Sequence, residues 1–247
     1  MTMAYHPYDL DTLHIPTLGL VVLQTDETIE HDFRRLLSAD ECKLHVSRVV
    51  SGADLTPEMI ARMDRALPEA ASLLPPAASF DAVAYACTSG TAHIGAERVH
   101  QVLRTETGAT SATDPMTAAI AALGALGAHR IGVLTPYTET IAQPLIDTLR
   151  ETGFDVTSSL SFGEEVEANV VRISGNSVRG AVEALLQGAE VDAVFMSCTN
   201  LRTLDVIPDL ETRFGIPVFG SNLALAWHLS KLAGLGALRL PTRLASV

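Results

Sequence analysis

The chain has 247 residues, 47% of them hydrophobic and 19% charged, which is enough core-forming material to exclude a disordered chain. Its formal net charge of −12 repels polyanions, so neither nucleic acid nor an anionic membrane surface is an expected partner. No basic leader precedes an apolar run, and no apolar stretch approaches the roughly 18 residues that cross a bilayer, so a cytoplasmic protein is expected.

Short apolar runs alternate with longer stretches of helical period, the pattern of an α/β fold. In chain order, strands are predicted at residues 18–23, 44–50 and 82–86, a short one near 109–112, then 130–134, 155–160, 193–197 and 217–219. Between them, Thr56 with Pro57 and Asp114 with Pro115 read as helix starts, and Ser221 or Asn222 as the cap of a third helix. Gly127 and Gly153 read as helix stops. "LPPAAS" at 74–79 is a loop, and "SGNS" at 174–177 reads as a capping turn.

Two phrases repeat. "DAVAYACTSG" at 81–90 and "DAVFMSCTNL" at 192–201 place Cys87 and Cys198 in the same context, 111 residues apart. "DETI" from Asp26 answers "TETI" from Thr138 at an offset of 112, and "TDPMTAAIAALGALG" from Thr113 answers "SNLALAWHLSKLAGLG" from Ser221 at 108. Three recurrences in one order point to a duplicated unit. Lobes at 1–112 and 113–225 are expected, with a C-terminal helix and tail at 226–247 packing back on the first lobe.

Each cysteine of the repeat ends an apolar strand and precedes polar residues. In an open α/β sheet the carboxyl ends of the strands are where ligands bind. A free Cys is ordinarily a small buried hydrophobe. Here, however, Thr88, Ser89 and Gly90 follow one copy and Thr199 and Asn200 the other, groups suited to holding a carboxylate and lowering a thiol pKa. Cys42, in "ADECKL", has no counterpart and is read as structural. No Cys-x-x-Cys spacing supports a disulfide framework or zinc ribbon. The eight His lack metal-site spacing; His93 and His100 are seven apart with no evident carboxylate partner. "GALGAH" at 124–129 is no dinucleotide fingerprint, so neither metal nor cofactor is expected.

"ACTS" at 86–89, "SCTN" at 197–200 and "SNLALAW" at 221–227 resemble the aspartate/glutamate racemase superfamily, on its maleate cis-trans isomerase and arylmalonate decarboxylase branch. The likeness runs through nearly the whole chain. It implies two similar Rossmann-like lobes with parallel sheets, related by a pseudo-twofold axis, with the active site between them. Cys87 and Cys198 would be the two catalytic thiols. The resemblance also implies substrate-binding roles for Tyr137 in "TPYTE" and Asn169 in "EANVVRI", while Gln24 or Thr25 stands where the family carries an Asn after its first strand. Arylmalonate decarboxylases of this branch keep only the second-half thiol, and amino-acid racemases read Cys-Asn-Thr and Cys-Thr-Glu, so the isomerase branch fits better. Ectoine-utilisation proteins resemble the pattern as well.

The expected activity is therefore cofactor-independent isomerisation of a small carboxylate or dicarboxylate, most like maleate to fumarate through a Cys87 adduct. Thr88, Ser89, Thr199, Asn200, Tyr137 and Asn169 are the candidate donors to the carboxylates. Two alternatives use the same thiols: an Asp/Glu-type racemase and an ectoine-utilisation enzyme. A small-anion binding protein is a third. A homodimer or higher homo-oligomer is expected.

Overall fold

Whether a strand is buried on one face or both decides how its sequence reads, and this chain shows both cases. "TLGLVVL" and "AVAYA" are apolar throughout and buried throughout, whereas "KLHVSRV" alternates and lies at a sheet edge. The computed structural model describes residues 3, 5–54 and 56–247. The first half runs β1 (Thr17–Leu23), α1 (Ile29–Leu36), β2 (Lys43–Val49), α2 (Pro57–Ser72), β3 (Ala82–Ala86), α3 (Thr88–Ile94), α4 (Ala96–Thr107), β4 (Ser111–Thr113) and α5 (Pro115–Ala125). The second runs β5 (Arg130–Thr135), α6 (Glu139–Glu151), β6 (Asp155–Ser161), α7 (Glu167–Val170), α8 (Gly175–Leu185), β7 (Ala193–Met196), α9 (Ile207–Phe214), β8 (Val218–Gly220) and α10 (Ser221–Leu232).

The strands form two four-stranded sheets, ordered β2-β1-β3-β4 and β6-β5-β7-β8, every pairing parallel. The two orders are the same order, so the sequence repeat is a repeat of topology. Strand order reverses direction between β1 and β3 and between β5 and β7, the switch points where such sheets leave a crevice. Residues just beyond those four strands include Asp26, Cys87, Tyr137 and Cys198. The halves join through α5 against α10 and α3 against α6, and α10 also reaches α1. No helix among the described residues is long and apolar enough to cross a membrane.

Caps set where the helices begin. The Thr56 hydroxyl accepts from Met59 N–H at 3.2 Å, and Asp114 Oδ1 accepts from Met116 and Thr117 at 2.7 and 2.9 Å, each cap contributing about 1 kcal/mol. The second Asp114 oxygen lies 2.7 Å from His100 Nε2, so His100 has the carboxylate partner that its local sequence does not reveal. The third helix start differs from expectation: Gly220 occupies the cap position, and Ser221 turns its hydroxyl to Cys198 instead. Trp227 is buried, its indole N–H donating to the Val247 carbonyl at 3.2 Å.

Candidate active site

Cys87 and Cys198 lie beyond corresponding strands, but the backbone treats them differently. Cys87 is the N-cap of α3, and its sulfur accepts from Gly90 N–H at 3.2 Å with Ser89 Oγ 3.7 Å away. Gly90 is required by space: a Cβ there would stand 2.9 Å from Cys87 Sγ and 2.7 Å from Tyr85 Oη. Gly90→Ala is therefore expected to displace the thiol and cost about 1 to 3 kcal/mol of overpacking, seen as a lower Tm with altered Cys87 alkylation. Cys198 alone among the described non-glycine residues has positive φ, at 108°, a strained conformation that its neighbours must hold. Its N–H donates to Ser221 Oγ at 3.0 Å.

Both thiols are buried, which raises both pKa values. Cys87 is pushed up to about 11, with the Gly90 N–H, Ser89 and Tyr85 opposing the rise and the Glu167 charge adding to it. Burial and then the Glu167 charge hold Cys198 well above the ordinary thiol range, against a favourable contact from the Tyr137 phenol. Tyr137, itself fully buried, feels both thiols and Glu167. A single cluster thus holds two thiols, two phenols and a carboxyl group.

The residues after each cysteine tie the halves together reciprocally. Thr88 Oγ1 lies 2.9 Å from Ser221 Oγ, the group that accepts from Cys198 N–H, while Thr199 Oγ1 donates to the Ala86 carbonyl at 3.3 Å. Asn200 accepts from Glu27 N–H at 2.9 Å and donates to Glu167 Oε1 at 2.8 Å, and its own carbonyl accepts from Thr28 at 2.9 Å. These three side chains, candidate ligand donors by sequence, are already engaged across the lobe boundary. Truncation of Asn200 to Ala strands the Glu27 amide and Glu167, at an expected cost of about 1 to 3 kcal/mol in denaturant unfolding.

Two further candidates stand apart from the cluster. Asn169 is exposed and donates to Glu164 at 3.3 Å, because the single turn of α7 points Glu167 and Val170 inward and leaves Ala168 and Asn169 outside. Gln24 is exposed beyond the inward-facing Leu23, and Thr25 pairs with Ser51 Oγ at 3.1 Å. Four further buried groups belong to this region that the sequence does not mark as site residues: Tyr85, Asp26, Glu167 and Asn222. Asp26 Oδ1 accepts from Thr28 and Ile29 N–H at 2.8 and 2.9 Å, and Asn222 donates to Asp32 at 2.9 Å and to the Thr199 carbonyl at 2.8 Å. Their positions after β1 and β8 were the available signal, since strand ends carry sites.

The cleft is closed over. Glu167 N–H donates to the Ala53 carbonyl at 2.9 Å, and Asp54 and Val166 form an antiparallel bridge, so the segments following β2 and β6 meet. No group of three or more His, Cys, Asp or Glu suited to a metal occurs among the described residues.

Two lobes of one topology carry a thiol at the same strand end of each, and the relatives of the chain are isomerases and a decarboxylase. The arylmalonate decarboxylase family model matches residues 53–242, and the chain belongs to that family. It is 35% identical to arylmalonate decarboxylase of Bordetella bronchiseptica over 126 residues, a match spanning 51% of this chain and 52% of that enzyme. It is 27% identical over 230 residues to maleate isomerase of Nocardia farcinica, covering 87% of this chain and 89% of that one. A cysteine-to-serine mutant of the Nocardia farcinica maleate cis-trans isomerase, solved with a covalently bound succinylcysteine intermediate, superposes with a TM-score of 0.83 at 25% identity, covering 94% of this chain and 98% of that one. The isomerase expected from the sequence agrees with these relatives.

Proposed function

We propose that the protein isomerises a small carboxylate with its two cysteines, by cis-trans isomerisation of a maleate-like acid through an adduct on Cys87. The observation that carries this reading is the unlike surroundings of two like thiols. The Cys87 sulfur accepts the Gly90 N–H at the start of α3 with Ser89 Oγ close by, contacts that favour a thiolate and oppose the burial that pushes the group up to about 11. For Cys198 the Glu167 charge is the largest cause after burial and the Asp26 charge adds to it, both favouring the protonated form against the Tyr137 phenol and the Asn200 N–H.

The chemistry then follows from the roles. Cys87 first loses its proton to water. The thiolate adds to one alkene carbon, the other carbon takes the Cys198 proton, and the double bond becomes a single bond about which the chain rotates. Cys198 recovers the proton as the carbon–sulfur bond breaks, which regenerates the alkene in its trans form. The relative's covalently bound succinylcysteine intermediate supports such an adduct. The equivalent strand-end placement of the thiols favours one second reading, racemisation, with one sulfur removing an α-proton and the other delivering one. NMR in D₂O with maleate, aspartate and glutamate separates them: trans product without α-exchange in the amino acids supports isomerisation, and α-deuterium in an amino acid supports the racemase.

A further inference from the structure

Two carboxyl groups beside the thiols are only half used. Glu167 and Asp26 are each 3% exposed; one oxygen of each is bonded as described, while Glu167 Oε2 and Asp26 Oδ2 have no partner among the described residues. Asn200, two residues beyond Cys198, links them: it donates to Glu167 at 2.8 Å and accepts at 2.9 Å from the N–H of Glu27, the residue next to Asp26. The Thr199 hydroxyl lies within reach of both Asp26 and the Ala86 carbonyl, 3.3 Å away, and its single proton serves one of them at a time. A buried carboxylate oxygen gains most from a group that donates to it, so these two oxygens are suited to accept from a bound ligand.

We propose that Glu167 and Asp26 form a specificity-determining acceptor pair, and that the substrate carries one carboxylate and, at its other end, an N–H donor in the form of an amide or an ammonium group. Resting on the two-thiol reading, this narrows the substrate class: above the pH at which Glu167 gives up its proton, a second carboxylate would meet like charge in a buried site, where repulsion is strong. The monoamide of a cis-enedioic acid meets the requirement for the adduct chemistry. An amino acid meets it for proton transfer.

The test uses the whole protein at pH 8 and reads alkylation of Cys87 and Cys198 by peptide mass spectrometry. Three ligands on the same three-carbon carboxylate frame serve as probes: succinate, succinamate and 3-aminopropionate. In the native protein, succinamate or 3-aminopropionate is expected to protect both thiols at concentrations about tenfold below those needed with succinate, and the better of the two identifies amide or ammonium. Glu167→Gln and Asp26→Asn keep the bonds made to Asn200, Thr28 and Ile29 by the remaining oxygen, and should abolish or reverse the preference. Thermal unfolding establishes that each variant folds. Equal or stronger protection by succinate in the native protein, or a preference unmoved in both folded variants, overturns the acceptor pair while leaving the thiol cleft standing. Thiols that no carboxylate protects overturn the two-cysteine reading itself, and the acceptor pair with it.

Discussion

Cys87→Ser is expected to lower turnover about 10³-fold or more while leaving the fold intact. A serine hydroxyl preserves the N-cap, since oxygen accepts from Gly90 N–H at least as well as sulfur does. It loses the nucleophile, because the hydroxyl ionises far above neutrality and its oxygen is a weaker nucleophile than sulfur toward an alkene carbon. The pairing of unchanged Tm with lost kcat distinguishes a chemical role from a packing one. Retention of more than about a tenth of native activity would contradict a Cys87 adduct.

Glu167→Gln is expected to make the protein more stable at pH 8 and less selective. Burial pushes the Glu167 carboxyl up to about 7, from an ordinary 4.5. The folded chain therefore binds this proton more tightly than the unfolded chain, and stability falls as pH rises between about 4.5 and 7, the loss being complete above the folded value. The shift corresponds to roughly 3 kcal/mol. Asp32, raised by burial to about 6, adds a smaller loss of the same sign. The glutamine carries no charge, so denaturant unfolding should show the variant gaining on the native protein from pH 4.5 to 8, with the two converging at pH 4. A difference constant across that range would mean that Glu167 is ionised at all of these values. A group that destabilises its own fold at neutral pH is typical of a site tuned for function.

The physical content of these two results explains what the sequence could and could not reveal. All eight strands lie within a residue or two of their predicted bounds, because buried central strands read as unbroken apolar runs and the helices between them carry local caps at Thr56 and Asp114. The two thiols were legible because duplication wrote their context twice. The carboxyl groups were not, since burial of an Asp or Glu is decided by distant partners: Asn200 holds Glu167 from 33 residues away, and Asn222 holds Asp32 from 190. For the same reason Thr88, Thr199 and Asn200 read as ligand donors, although the Thr88 and Thr199 hydroxyls meet partners 133 and 113 residues distant. Asn169 shows a further limit. A four-residue helix is too short for periodicity to say which side faces inward, and the inward residue proves to be Glu167, two positions earlier.

The central claim is that Cys87 forms the carbon–sulfur bond and Cys198 moves the proton. In the Cys198→Ser variant water protonates the carbanion slowly and no thiolate takes the proton back, which strands the adduct, so the decisive measurement is peptide mapping by mass spectrometry of that variant after incubation with maleate and with its monoamide. The account predicts a substrate-mass adduct on Cys87, absent from Cys42 and from the Cys87→Ser control. Solvent deuterium washed into an amino-acid substrate by the native enzyme, with no adduct on Cys87 in the variant, would contradict it and assign the thiols to proton transfer alone.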